Sequence, residues 1–429
     1  MVAYHLELAL HGLRRSRALT VLMIVAVGLG IGTCMTTLTV LHAVSENPLP
    51  GRSGSIYLPR LDPREGFSME ARARLPSQVT WVDGTNLLRA GRARQQALML
   101  GGEVPIEPAA SRGDPFIASA RYTSQGFFDL FGVPFRYGRG WGATEDTARA
   151  RVVVIDEVLN DRLFQGTDSV GRTIRLGGVD MRVVGVLRSW HPVPHFYDLN
   201  TGSFASGEDV YRPLTTARAL TLPRSGGMEC WGKGSTSEAL METADCTWLQ
   251  FWVRLDGSAD VAAYQRFLDG YVAEQVRAGR YPADRPARLT GLMDYLVERH
   301  VVPGDLRLQV WLAFGFLTVC LVNTLGLMLA KCLRRGGEIG VRRALGATRG
   351  DVLRYVQTEN FVLVSIGIAL GMVLAYAINL LLMYQYELPR LPASYLPLGV
   401  GCLWLLGQAA VLAPALRAAA VSPVEATRG

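Results

Sequence analysis

Hydrophobic and polar positions alternate along this chain in two distinct ways. In residues 18–44, 308–330, 361–386 and 396–416, no Asp, Glu, Lys or Arg interrupts the apolar run. Each run reaches the roughly 20 residues a helix needs to cross a hydrocarbon core. A spanning segment must be helical, because lipid offers no partner to an unpaired backbone group. The first run is far longer than the roughly 7–15-residue apolar core of a secretory signal and lacks a clear cleavage site, so it reads as an uncleaved anchor. Between the first and second runs the pattern becomes that of a water-soluble α+β domain. Arg151–Ile155 predicts a strand and Glu157–Phe164 a helix. Thr173–Leu176 and Val179–Leu187 flank Gly177-Gly178, which predicts a hairpin. Trp248–Leu255 reads as a strand. From Asp260 onward, Val261, Tyr264, Leu268 and Tyr271 repeat at helical spacing. Residues 189–209 and 221–238 read as loops, and Leu289–Val302 as a helix leading to the membrane, interrupted at Pro303-Gly304. The expected fold is an α-helical membrane protein with four transmembrane helices plus an α+β extracytoplasmic (periplasmic) domain.

Charge decides the orientation. The chain carries a formal charge of +7, yet residues 45–307 hold 31 basic and 31 acidic side chains and are neutral. The excess flanks the apolar runs instead of forming a basic folded surface, which excludes a nucleic-acid binder. Arg14, Arg15 and Arg17 precede the first span, and Lys331, Arg334, Arg335, Arg342, Arg343, Arg349 and Arg354 follow the second. By the excess of basic residues on cytoplasmic flanks, both termini are inside and residues 45–305 outside. Leu6, Ala9, Leu10 and Leu13, at helical spacing ahead of the arginines, suggest a short amphipathic helix on the inner membrane surface. His42 is the one ionisable residue within the spans. Ion-coupled carriers place charged groups at mid-membrane, so ion movement through the bundle is not expected. Gly28-x-x-x-Gly32 and Gly367-x-x-x-Gly371 allow close helix packing, either within the chain or between copies.

Cysteine placement separates the compartments. Cys34, Cys320 and Cys402 lie in spans and Cys332 at the inner surface, leaving Cys230 and Cys246 outside, where disulfides persist. They either remain two thiols or close a loop of about 15 residues, for which chain entropy gives up to ~3 kcal/mol. Two motifs fall short of their chemistry. Gly227-x-x-x-x-Gly232-Lys233 lacks the Ser or Thr of a phosphate loop and lies opposite cytosolic ATP. His191-x-x-x-His195 has metal-like spacing, but Pro192 and Pro194 prevent one helical face. No nucleophile elbow or zinc-protease motif occurs. No catalytic or metal-ligating residue is expected, and no enzymatic activity in this chain.

The segment from Gly336 to Val352 combines helix, turn and helix. Glu338 and Arg342 stand four apart in the favourable order for an ion pair. Ile339, Val341 and Leu345 supply apolar groups, and Gly346 a turn. Thr348 with Asp351 predicts a capping box starting a helix that runs into the third span. Charge alone would fix topology without the Glu, the glycines or the cap.

This segment resembles the signature of the FtsX-like permease domain shared by MacB-type ABC permeases, the mechanotransmission (type VII) transporters. Pro414-Ala415-Leu416-Arg417-Ala418-Ala419 and Ser422-Pro423-Val424-Glu425-Ala426 resemble that family's closing motif. Tyr122-Thr123-Ser124-Gln125-Gly126-Phe127-Phe128, Val152–Ile155, Leu163-Phe164, Gly171-Arg172-Thr173-Ile174 and Val183–Leu187 follow its periplasmic core in order. The resemblance implies this division: an N-terminal helix over 1–17; spans at 18–44, 306–330, 361–386 and 396–416; and a periplasmic domain over 45–305. That domain would have porter-like segments 45–118 and 216–305 and a β-rich insertion 119–215. A coupling region would cover 331–360, a short outer loop 387–395 and a cytoplasmic tail 417–429. It further implies a multi-pass inner-membrane permease working as a homo- or heterodimer, with an ABC ATPase subunit binding ATP and magnesium, and this chain itself holding no cofactor. By position, Glu338, Ile339, Gly340, Arg342, Arg343, Ala344, Leu345 and Gly346 would couple to that ATPase. The nucleotide-binding domain of fused members is not found in this sequence, so the ATPase is expected as a separate chain. The stretch from Trp231 to Trp248, with its cysteines, departs from the family pattern. The function implied is export of a peptide, antibiotic or other amphiphile from the periplasm through an adaptor and outer-membrane duct. Lipoprotein extraction and control of a cell-wall hydrolase are the alternatives.

Overall fold

The computed structural model describes residues 16–45, 47–65, 75–108, 114–205, 207–232, 237, 240–283, 285–301, 304–334, 337, 341, 345–386, 401, 404–405 and 407–409. The chain divides into two compact units, Glu46–Val301 and the pair Met1–Ser45 with Val302–Gly429.

The first unit is built on thirteen strands: β1 (Ile56–Arg60), β2 (Gln95–Glu107), β3 (Phe116–Thr123), β4 (Phe135–Gly138), β5 (Val152–Ile155), β6 (Thr173–Leu176), β7 (Val179–Leu187), β8 (Val210–Pro213), β9 (Arg224–Ser225), β10 (Glu229–Cys230), β11 (Cys246–Thr247), β12 (Gln250–Arg254) and β13 (Arg288–Gly291). Eleven form one sheet, ordered β13-β1-β12-β2-β3-β8-β5-β7-β4, with β6 and β9 joining from the side. Because β6 pairs with both β2 and β7, the strands β2-β3-β8-β5-β7-β6 close into a ring. Alternate side chains separate cleanly between the two faces, as the pleat requires. Leu98, Leu100, Val153, Ile155, Phe251 and Val253 enter one core, whereas Ala97, Met99, Val152, Val154 and Trp252 enter the other.

Helices cover these faces. After α1 (Arg17–Ser45) of the second unit, they include α2 (Trp81–Ala90), α3 (Phe127–Phe131), α4 (Ala143–Thr147), α5 (Glu157–Phe164), α6 (Leu214–Ala219), α7 (Ser258–Arg277) and α8 (Leu292–Glu298). The α5 helix starts where Asp156 accepts a hydrogen bond from Leu159 N at 2.7 Å, a standard N-cap. Residues 288–291, expected as partly helical, are instead strand β13. They line the edge of β1 from Arg60↔Arg288 to Tyr57↔Gly291, and α8 begins only after Gly291, extended at φ −65°, ψ 151°. Pairing with a neighbouring strand overrides the helical spacing. The stretches expected as loops hold a turn of 3₁₀ helix at Phe196–Asp198 and the short strands β9 and β10.

In the second unit, three helices among the described residues are long and apolar enough to cross a membrane: α1 (Arg17–Ser45), α9 (Gly304–Arg334) and α10 (Arg349–Tyr386). The expected N-terminal amphipathic helix lies outside the described residues. So does most of the expected fourth span, of which residues 401, 404–405 and 407–409 are described and helical. The two glycine pairs meet within the chain. A Cβ on Gly371 would stand 2.9 Å from Gly28 O, and one on Gly32 3.3 Å from Gly371 O. Small residues thus bring the backbones of α1 and α10 together, beside a core of Met23, Val27, Ile31, Leu317, Leu363 and Ile368.

Candidate coupling and outer-domain sites

Of the expected coupling residues, Glu338, Ile339, Gly340, Arg342, Arg343 and Ala344 lie outside the described residues. Leu345 and Gly346 are described. Leu345 N donates to Val341 O at 3.0 Å, and the Leu345 side chain is 83% exposed. Gly346 follows at φ 104°, a left-handed conformation that glycine adopts without a Cβ penalty. Thr348 and Asp351 then cap α10 reciprocally: Asp351 N donates to Thr348 Oγ1 at 3.2 Å, and Thr348 N to Asp351 Oδ2 at 3.0 Å. From that cap α10 continues through 38 residues to Tyr386. At 1.5 Å per residue it is roughly 57 Å long, nearly twice the ~30 Å hydrocarbon core.

In the outer domain a cleft of about 360 Å³ opens beside β2 and β3, with Arg121, His195 and Glu208 at its base and Gly101 and Gly102 in its wall. β3 delivers Arg121 to the face opposite Ala120 and Tyr122, and the segment 195–208 folds over it. Each guanidinium nitrogen of Arg121 reaches a carboxylate: Nη1 donates to Asp198 at 2.6 Å, Nε to Glu208 Oε1 at 2.9 Å, and Nη2 also to Glu208. Tyr197 donates to Glu208 Oε2 at 2.6 Å, Gln250 donates to Asp198 at 2.9 Å, and His195 Nε2 lies 3.2 Å from Glu208 Oε1. Arg121, Asp198, Glu208 and His195 are all buried. Burial alone would raise the Glu208 carboxyl, but the charge of Arg121, followed by that of His195, drives it far below the ordinary carboxylate range. Burial works against the Arg121 cation, yet Glu208 and Asp198 hold it above its usual value. Burial and the neighbouring Glu208 raise both the Tyr197 and Tyr211 hydroxyls. Through these bonds to Arg121 the cluster acts as a lock that ties His195–Asp198 and Glu208 to β3.

One buried cation differs. Arg212, next to Tyr122 across the β3–β8 pairing, is fully buried, and none of its guanidinium nitrogens has a hydrogen-bond partner among the described residues. Burial pulls it down to about 10, offset in part by Tyr122.

Cys230 and Cys246 are joined by a disulfide across the β10–β11 pair, with S–S 2.03 Å. The adjoining Glu229 accepts from Arg64 Nη1 at 2.9 Å, and Trp248 stacks on Trp81 at 6.1 Å. No spacing in the sequence points to the Arg121 cluster, which joins Arg121 and Gln250 to a segment more than 40 residues from either. The histidine pair 191/195 is the nearest signal, but Pro192 and Pro194 argue against a metal site there and nothing in its spacing points to a carboxylate partner. His195 instead faces Glu208.

The sequence is similar to those of known proteins. The MacB-like periplasmic core domain model matches residues 20–270, and the FtsX-like permease C-terminal model residues 310–423. The macrolide export ATP-binding/permease protein MacB 1/2 of Paracoccus denitrificans is 24% identical over 441 residues, covering 99% of this chain and 58% of that protein. The MacB of Neisseria gonorrhoeae (strain ATCC 700825 / FA 1090) is 24% identical over 319 residues, covering 73% and 44%. This chain thus spans about half the length of these two relatives. The uncharacterized ABC transporter permease YvrN of Bacillus subtilis is 25% identical over 309 residues, covering 70% and 68%. Among solved structures, the periplasmic region of MacB from Actinobacillus actinomycetemcomitans aligns with TM-score 0.37 and 15% identity, covering 59% of this chain and 97% of that one.

Proposed function

The chain belongs to the MacB-like periplasmic core domain family of ABC transporter permeases, and from that membership we propose that it is the membrane subunit of a mechanotransmission exporter. ATP binding and hydrolysis by an ABC ATPase, supplied as a separate chain, move the outer domain through the spans without passing cargo across the bilayer. The ATPase docks on the segment from Glu338 to Gly346, with Glu338, Ile339, Arg342, Arg343 and Leu345 in contact. Both termini and this segment face the cytoplasm, following the excess of basic residues between 331 and 360. The working unit is a dimer of permeases, joined by an adaptor and an outer-membrane duct. The cargo is an amphiphile. Macrolides are the first to try, since two relatives are named for macrolide export.

One observation carries this reading. The α10 helix starts at a reciprocal cap beside the exposed Leu345 and continues for 38 residues. An unbroken hydrogen-bonded rod passes displacement from one end to the other, whereas a flexible link would absorb it. The test is the double variant Arg342→Glu with Arg343→Glu, expressed with the ATPase. Membrane insertion is expected to persist and co-purification of the ATPase to be lost. Unchanged co-purification would remove the docking assignment.

A further inference from the structure

Lys331 and Glu359 lie just beyond the charge-free cores of the second and third apolar runs. A lysine at the end of a span ordinarily extends its ammonium outward to water and headgroups, and Arg334, one turn further on, is exposed. Lys331 does the opposite. It is 3% exposed, as is Glu359, and its Nζ donates to Glu359 Oε1 at 2.5 Å. Marking the cytoplasmic side requires a positive charge but neither its burial nor a carboxylate partner. The pair therefore answers to something other than topology.

Its position shows what that is. The two residues, 28 positions apart in sequence, close the base of the stretch that contains the coupling segment. Beside them, Met328 of α9 and Val356 of α10 form a small buried cluster, with Leu325, Leu353 and Tyr355 against it. This cluster is separate from the core both helices share with α1. The next residue, Asn360, is buried and donates to Gly407 O at 3.1 Å. Consecutive residues of α10 thus hold α9 through an ion pair and the 407–409 helical stretch through a hydrogen bond. In a site excluded from water such a bond resists separation far more than an exposed pair does.

We propose that Lys331 and Glu359 are positioning residues that clamp α9 to α10 at the root of the coupling segment, so that a displacement of that segment moves both helices together. This rests on the docking and coupling reading above. Without the clamp, the same push would slide α10 against α9 and be lost before reaching the outer domain.

The test uses the full chain with its ATPase in nanodiscs. Spin labels are placed at the exposed positions Trp311→Cys on α9 and Val373→Cys on α10. In the otherwise native chain, the α9–α10 distance distribution is expected to be the same with and without a non-hydrolysable ATP analogue. In Lys331→Met it is expected to shift on adding the analogue, with the ATPase still bound. The reversed pair Lys331→Glu with Glu359→Lys is expected to abolish that shift. Because a lone buried carboxylate can unfold the bundle, the apolar double Lys331→Met with Glu359→Leu is measured as well, and it should assemble and show the shift. An assembled Lys331→Met complex and apolar double whose distances ignore nucleotide would overturn the clamp alone, as would a shift already present in the native chain. Failure of the native chain to hold the ATPase would overturn the docking reading and, with it, the clamp.

Discussion

Replacing Arg121 by methionine would leave Asp198 and Glu208 buried without their shared cation, while largely preserving side-chain length. Removing one member of a buried ion pair costs about 3–5 kcal/mol, because the remaining charge can neither hydrate nor pair. Here two carboxylates are left, although Glu208 keeps its bond from Tyr197 and Asp198 its bond from Gln250. The cation also sits 5.1 Å from the Tyr197 ring centre, a contact whose loss adds roughly 0.5–2 kcal/mol. A central expectation is about 4 kcal/mol, against a total of ~5–15 kcal/mol for a typical domain. For a unit the size of Glu46–Val301, that is a fall in Tm of roughly 8–16 °C. Urea unfolding of this outer domain measures it. Trp190 stacks on Tyr197 at 5.4 Å and Trp252 Nε1 donates to Tyr197 O at 3.1 Å, so indole fluorescence reports on the lock itself. A triple variant, Arg121→Met with Asp198→Asn and Glu208→Gln, removes the stranded charges and should recover most of the loss. A cost below about 1 kcal/mol for Arg121→Met, the value of a hydrated surface pair, would refute the claim that this cluster fastens the domain.

The same lock should be sensitive to acid. Glu208 is held below its ordinary value in the folded state, so its contribution is full above the unfolded carboxylate range and is lost as pH falls from about 5 toward its folded value; Glu208→Gln should flatten that part of the pH–stability curve, and an unchanged acid limb would count against it. Arg212→Met exchanges a buried cation with no hydrogen-bond partner among the described residues for an apolar side chain of similar length, and should stabilise the domain by about 1 kcal/mol or more, read as a higher urea midpoint. A clear loss of stability would mean that Arg212 has a partner on which the fold depends. Cys230→Ala with Cys246→Ala opens a loop with a sequence separation of 16. It should lower stability by about 3 kcal/mol in the chain-entropy account, and no change on thermal unfolding would assign the fold's stability elsewhere.

How much of this was legible beforehand depended on whether the signal was local. The α5 helix and the β6–β7 hairpin fall within the stretches expected, because a cap or a Gly-Gly turn marks each one. β2 was not legible. Gly101-Gly102 and Pro105 interrupt its alternation, and only its neighbours on both edges make it a continuous strand. β13 read as helix for the related reason that its strand character comes from β1, far away in sequence. The glycine pairs left packing within the chain and packing between copies both open, and only the backbone approach of α1 and α10 distinguishes them. The Arg121 lock was out of reach: charged residues at 121, 198 and 208 leave no periodicity to detect. In the sequence Lys331 is one of seven basic residues between 331 and 360, and its burial depends on a partner in another helix.

The placement of β1 constrains how the outer domain is made. β1 pairs on one edge with β12, where Ile56 meets Arg254, and on the other with β13, where Tyr57 meets Gly291. A strand synthesised near the start must wait roughly 200 residues for its first partner, which is about 10–40 s at ribosomal speed. During that interval its apolar face and both hydrogen-bonding edges stay uncovered, while the chain is already anchored in lipid by α1. The interval in which β1 lacks both partners therefore falls before α9 is synthesised.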